Sequence, residues 1–216
     1  MKVKQLHPAV RTACLTVIFL ILGAVLVLTA GKSFTEYIRT SAGTAVGLGA
    51  PVYSYDDEQK QPVEGTLKKS EVVIPSAGSR YGTIICDAVK LKAPLYYGDS
   101  EKILSRGAGQ YTGSGLPGEG RMILVGAHDV GYFEVLEKAE KGQKIKVHTS
   151  YGEFMYEISD ITVKDVSYIN EKKLEKKGNE QLVLYTCYHF GEVFEKSSKR
   201  YFVIADRISG PELVEE

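Results

Sequence analysis

The chain has no tryptophan, only three cysteines, four histidines and seven prolines among 216 residues, and its charges cancel, with Lys+Arg and Asp+Glu each totalling 27. Each shortage excludes something. Zero formal charge leaves no large basic field, which argues against a nucleic-acid-binding function. Cys14, Cys86 and Cys187 are too few and too scattered for a disulfide framework, and none forms a CxxC pair suited to zinc. At least one thiol therefore stays free or pairs between chains. Long hydrophobic runs are also scarce, since only one uncharged stretch reaches spanning length.

What is present is a globular balance of 44% hydrophobic and 25% charged residues, with 14 tyrosines that tilt weakly toward strands. The one long run, ACLTVIFLILGAVLVLTA at residues 13–30, would reach ~27 Å as a helix at ~1.5 Å per residue, close to a bilayer's hydrocarbon thickness. Lys2, Lys4 and Arg11 precede it, which places residues 1–12 in the cytoplasm and the rest outside. The run exceeds the core of a signal peptide, and Leu28 occupies the position where a cleavage site after Ala30 wants a small residue, so a retained single-pass anchor is expected.

Residues 31–70 mix Ser, Thr, Gly and charge without sustained periodicity and read as an extracellular stalk. From residue 71 to 216 short apolar runs alternate with turn chemistry: EVVIP, YGTIIC, VKLKAPLYY, RMILVGAH, KIKVHT, EFMYEISDITV, QLVLYTC and RYFVIADRI. About eight strands at this spacing describe one barrel or sandwich. Two helices are expected, FEVLEKAEKG stopping at Gly142 and NEKKLEKKG from Asn170 to Gly178. The lysines of the second read as solvated surface.

The chemistry concentrates in QLVLYTCYHFGEVFEKSSKRYFVIADRI. An apolar strand ends in Thr186-Cys187, and the next strand opens with Arg200. A thiol at a strand end is held rigidly, and a cation on the neighbouring strand reaches the same cleft. Acyl transfer would further need a histidine to exchange the proton and a donor for the oxyanion, which Arg200 can supply. From spacing alone, a buried core cysteine beside an ordinary edge arginine is the better fit. Cys86 reads as a small buried hydrophobe, His7 accompanies the cytoplasmic residues, and His148 reads as an exposed strand residue. His189, two residues beyond Cys187, would share its face if the strand continued.

LYTC followed by RYFVIA resembles the signature of the sortase family, and the likeness extends through YGTIICDAVKLKAPLYYG, GAGQYTGSGLPGEGRMILVGAH and KGQKIKVHTSYGEFMYEI, covering residues 81 to about 208. CYHF with KRY is most similar to class D, with His189 where proline is common. The resemblance implies a closed eight-stranded β-barrel with short helices. It also implies a cysteine transpeptidase that cleaves an LPxTG-like sorting signal between Thr and Gly and passes the thioacyl product to a cell-wall amine. It assigns Cys187 as nucleophile, His128 as acid–base and Arg200 as donor, with Thr186, His189 and Asp129 as substrate-binding or auxiliary residues. The family often shows Gly-His, whereas here Gly126-Ala127-His128-Asp129 sets the histidine one residue later.

No cofactor and no metal is expected, though some relatives hold calcium in the segment that here carries Glu171 and Glu175. Expected partners are secreted proteins bearing the sorting signal, a peptidoglycan-linked amine and the membrane. No DP-aromatic lid motif precedes the barrel, so wall attachment is expected over pilin polymerisation. The alternatives are a tethered cysteine protease using water, or a non-catalytic binding barrel; no S-x-G-C motif of an L,D-transpeptidase surrounds Cys187.

Overall fold

The arrangement follows from alternation. A computed structural model describes residues 14–23, 65–171, 178–188 and 198–215. The chain divides into two units, Met1–Ile38 and Arg39–Glu216. Of the first, residues 14–23 form a helix, α1. Its ten residues span ~15 Å, and among the described residues no helix is long and apolar enough to cross a membrane. The remainder of the run read as an anchor, residues 13 and 24–30, lies outside the described residues, as does His7.

In the second unit the strands are β1 (Thr66–Lys68), β2 (Arg80–Cys86), β3 (Leu91–Tyr97), β4 (Ala108–Gln110), β5 (Ile123–Gly126), β6 (Lys144–Thr149), β7 (Glu153–Asp165), β8 (Gln181–Cys187), β9 (Lys199–Ser209) and β10 (Glu212–Val214), with short helices α2 (Glu101–Leu104) and α3 (Tyr168–Glu171). Eight of them close into a barrel in the order β2-β3-β4-β5-β8-β9-β7-β6. Closure removes every free sheet edge among these strands. β1 and β10 form a separate parallel pair.

Along each strand one set of side chains fills the barrel and the other faces out. On β8 the inward residues are Leu182 and Leu184, which join Ile123, Val125, Val203 and Ala205 in the main core. The outward set, Val183 with Leu124, Phe202 and Ile204, forms a second cluster against which Tyr168 and Ile169 of α3 pack. Fully burying a side chain such as Phe154 or Phe202 contributes ~1.5–3 kcal/mol.

One end of the barrel is plugged by the loop after β4, residues 111–121. Leu116 is buried there, and the loop's backbone is held by side chains from the barrel wall. Tyr81 donates to Gln110 Oε1, Gln110 Nε2 donates to the Gly115 carbonyl at 2.7 Å, and Tyr151 donates to the Pro117 carbonyl at 3.1 Å. Glu180 is buried and accepts from the amides of Gly118 and Gly120 at 3.0 and 2.9 Å and from Tyr156 at 2.6 Å. Arg207 lies 3.6 Å from the same carboxylate. Gly118 has φ +95°, and a Cβ there would approach the Pro211 carbonyl to 2.9 Å, so the tight turn requires glycine.

Three expectations change. EVVIP forms no strand: Lys69–Glu71 is a 3-10 turn, Val73 is exposed, and the eighth barrel strand is instead the three-residue β4. FEVLEKAEKG gives a 3-10 helix at Glu134–Lys138, because Phe133, Leu136 and Ala139 are all buried and a spacing of three residues matches the 3-10 period. The helix expected from Asn170 to Gly178 lies mainly outside the described residues, which show α3 just before it.

Candidate active site

At the opposite end of the barrel, β8 and β9 present Cys187 and Arg200 on one outward face, and the loop after β5 carries His128. β8 and β9 are antiparallel, and Cys187 is the direct partner of Arg200. Residues opposite each other in such a pair project to the same side, and it is the outward side, since Thr186 between Tyr185 and Cys187 is buried. β5 runs parallel to β8 with Gly126 against Tyr185. Two residues beyond that pair stand His128, in the loop after β5, and Cys187, at the end of β8, so the histidine follows the strand adjacent to the one that ends in the thiol.

Two bonds join these segments. The Ala127 amide donates to the Tyr185 carbonyl at 3.3 Å, and Thr186 Oγ1 donates to the Ala127 carbonyl at 2.8 Å. The loop that bears His128 is thus stapled to the strand that bears Cys187. The Thr186 side chain is buried, so it braces the site from inside the barrel. Gly126 is required for a different reason: a Cβ there would come within 2.7 Å of the Tyr185 ring. Without it the ring lies over the β5 backbone and against Phe202, with centroids 6.1 Å apart.

Electrostatically the thiol is held neutral. Burial pushes the Cys187 thiol above its ordinary range, Arg200 pulls it down, and Asp129 and Glu101 push it up. Arg200 donates to the Lys199 carbonyl at 3.0 Å, a contact its five-donor fork can exchange for one across the cleft. Asp129, next to the histidine in the chain, is buried. The carboxylate that meets His128 is Glu101 of α2, with Oε2 at 3.8 Å from Nε2. Nothing in the sequence singled out Glu101, because α2 is a separate element that only the fold brings to β5.

The other residues fall elsewhere. His189 lies outside the described residues, as does Glu175. His148 is half-buried on β6 with Nδ1 at 3.2 Å from Glu153. Cys86 is buried in the core, and burial pushes its thiol up. Cys14 is exposed on α1. Among the described residues no group of three or more His, Cys, Asp or Glu side chains gathers in a way that could hold a metal ion.

The model of the sortase domain matches residues 84–208, more than half of the chain. This protein belongs to the sortase family. Over 137 residues it is 32% identical to sortase D of Bacillus subtilis strain 168, covering 62% of this chain and 67% of the relative. Among solved structures it is similar to sortase C from Clostridium perfringens SM101, at 28% identity and a TM-score of 0.54 over 62% of this chain and 73% of the other. A sortase C from Clostridium perfringens solved with the C-terminal cell wall sorting motif matches at 27% identity and TM-score 0.54, over the same shares of the two chains. The chain is therefore a sortase-family transpeptidase by domain and fold, and the mainly β, closed eight-stranded barrel is the family's.

Proposed function

We propose that this sortase cleaves an LPxTG-like sorting signal between Thr and Gly and transfers the carboxyl side of the new thioester to a cell-wall amine. The observation that carries the reading is the pairing of Cys187 with Arg200 on one outward face, with the Thr186 hydroxyl bonded to the Ala127 carbonyl next to His128. The relative solved with a cell wall sorting motif supports the substrate class.

The steps follow from the residues. Cys187 Sγ attacks the Thr carbonyl carbon, and its proton passes to His128. Arg200 donates to the oxyanion. The C–N bond to Gly breaks as His128 protonates the departing amine, leaving a thioester on Cys187. An incoming amine gives its proton to His128 and attacks the thioester, the C–S bond breaks, and an amide forms with the thiol restored. A thiol that rests protonated is protected from oxidation and ionises when substrate and Arg200 engage it. Thr186 and Asp129 brace the histidine loop, and His189 contributes to peptide selection. The protein is anchored by residues 13–30 with its barrel outside the cell, where secreted substrates emerge.

The test is incubation of the full chain with LPxTG-like peptides, with and without an amine, followed by mass spectrometry. Amine-dependent product with a trapped thioester on Cys187 is expected. Hydrolysis indifferent to amine would make it a protease, and binding without cleavage would make it a binding barrel.

A further inference from the structure

α2 is built to hold a position. Ile103 is buried, the Gly98 amide donates to the Gln110 carbonyl at 2.8 Å, and Leu104 sits so close to Gly109 that a Cβ there would approach it to 3.0 Å. Gly109 pairs with Gly126, two residues before His128. The helix that starts with Glu101 is therefore fixed to the β4–β5 pair whose last residue stands two before the histidine, and Glu101 Oε2 lies 3.8 Å from His128 Nε2.

An imidazole has two distinct nitrogens, and a partner at one decides what the other does. We propose that Glu101 is a positioning residue: it engages Nε2 of His128, steadies the ring when it is charged, and leaves Nδ1 as the nitrogen that exchanges protons with the departing and incoming amines. The inference rests on the reaction proposed above. The Glu101 carboxylate also acts on Cys187, together with Asp129 from the loop after β5 and Arg200 from β9, and Asp99, Arg200 and Cys187 act on the neighbouring Tyr185. Glu101 is 90% exposed, so its effect has the size of an exposed pair and yields to salt.

The test compares Glu101→Gln and Glu101→Asp with the unaltered full chain. At low salt the Gln variant should turn over peptide about two- to fivefold more slowly, the scale of one exposed ion pair, and the Asp variant should recover part of the loss. In 1 M NaCl, where the screening length is ~3 Å, the unaltered chain should slow toward the Gln variant. Alkylation of Cys187 by neutral iodoacetamide, followed against pH, should move the other way, to lower pH, because a carboxylate opposing the thiolate has gone. Because a loosened fold would also expose the thiol and ease its ionisation, thermal unfolding of the Gln variant is followed as well and should match that of the unaltered chain. Unchanged turnover in the Gln variant overturns the inference, and so does an unshifted alkylation profile. If the unaltered chain cleaves no peptide, the proposed function fails by itself, while the ring 15N NMR signals of His128 still decide the role of Glu101: signals unchanged in the Gln variant overturn it.

Discussion

The buried hydroxyl of Thr186 donates to the carbonyl of Ala127 at 2.8 Å, so the residue before Cys187 holds the residue before His128. Thr186→Val keeps the shape and removes the donor, leaving a buried carbonyl unsatisfied at a cost of ~1–3 kcal/mol. Thermal unfolding should begin several degrees lower. Peptide turnover should fall by about tenfold because a loosened loop misplaces the imidazole. Thr186→Ser should restore most of both. A Val variant with unchanged turnover would show that the staple does not set the histidine's position.

Cys187→Ala should abolish cleavage and thioester formation without loss of the fold. His128→Ala should drop turnover nearly as far, since neither amine could exchange its proton. Cys86→Ala should keep most activity, and His189→Ala should alter peptide preference while the best peptide loses less than about tenfold, roughly 1.4 kcal/mol. Steady-state rates of the purified variants check this, and an inactive His189→Ala beside a near-normal His128→Ala would reverse the assignment.

Arg200→Lys should cost on the order of 10²–10³ in turnover, the scale of removing one oxyanion donor, because an ammonium cannot reproduce the planar fork. Burst kinetics would place the loss in the acylation step. Near-normal rates with Lys would mean that charge alone suffices.

The resting thiol gives a pH prediction. Burial and the two carboxylates hold the Cys187 thiol above its usual range, so without peptide the neutral form dominates at pH 7 and alkylation should be slower there than for a free cysteine. The alkylation rate should rise with pH through that raised value. Removing the cation in Arg200→Ala should move the profile to still higher pH. A reactive thiolate at pH 6 would contradict the electrostatic reading.

Legibility followed length and locality. β8 and β9 could be read from the sequence because each is a long apolar run, and the pairing of Cys187 with Arg200 needs only the short connection between them. β4 could not: AGQ is three residues, two of them small, and its strand character comes wholly from Tyr96, Tyr97 and Val125 on either side. EVVIP reads as a strand by composition, but among the described residues no strand pairs with it, and Pro75 offers no amide. Cys187 and Arg200 were marked by local pattern, whereas the contact of Glu101 with His128 exists only through tertiary packing.

The plug at the other barrel end predicts an alkaline limit. Burial holds the hydroxyls of Tyr81, Tyr151 and Tyr156 well above the ordinary tyrosine value. Because these folded values are raised, the stability they contribute is whole below the unfolded value of ~10 and is lost as pH climbs through the folded values. Unfolding midpoints should therefore fall above about pH 10. Tyr156→Phe, which deprives buried Glu180 of its 2.6 Å donor, should lower stability at neutral pH by ~1–3 kcal/mol and make the alkaline decline shallower. Denaturant titrations at pH 7 and 11 test both statements.

The parallel pair of β1 and β10 also makes the domain a mechanical device. A pull on the chain ahead of Gly65 first meets the Glu212 amide bonded to the Gly65 carbonyl and the ion pair of Lys69 with Glu215, not the closed barrel. These contacts can be stripped while β2 to β9 remain hydrogen-bonded. Once the pair of Lys69 with Glu119 has also parted, the run from Gly65 to Gly78 offers a contour of roughly 44 Å at ~3.4 Å per residue before tension reaches β3, through the bond of the Gly78 amide to the Tyr97 carbonyl. The entry segment is a fuse, one that yields length under load and leaves Cys187 and Arg200 in register.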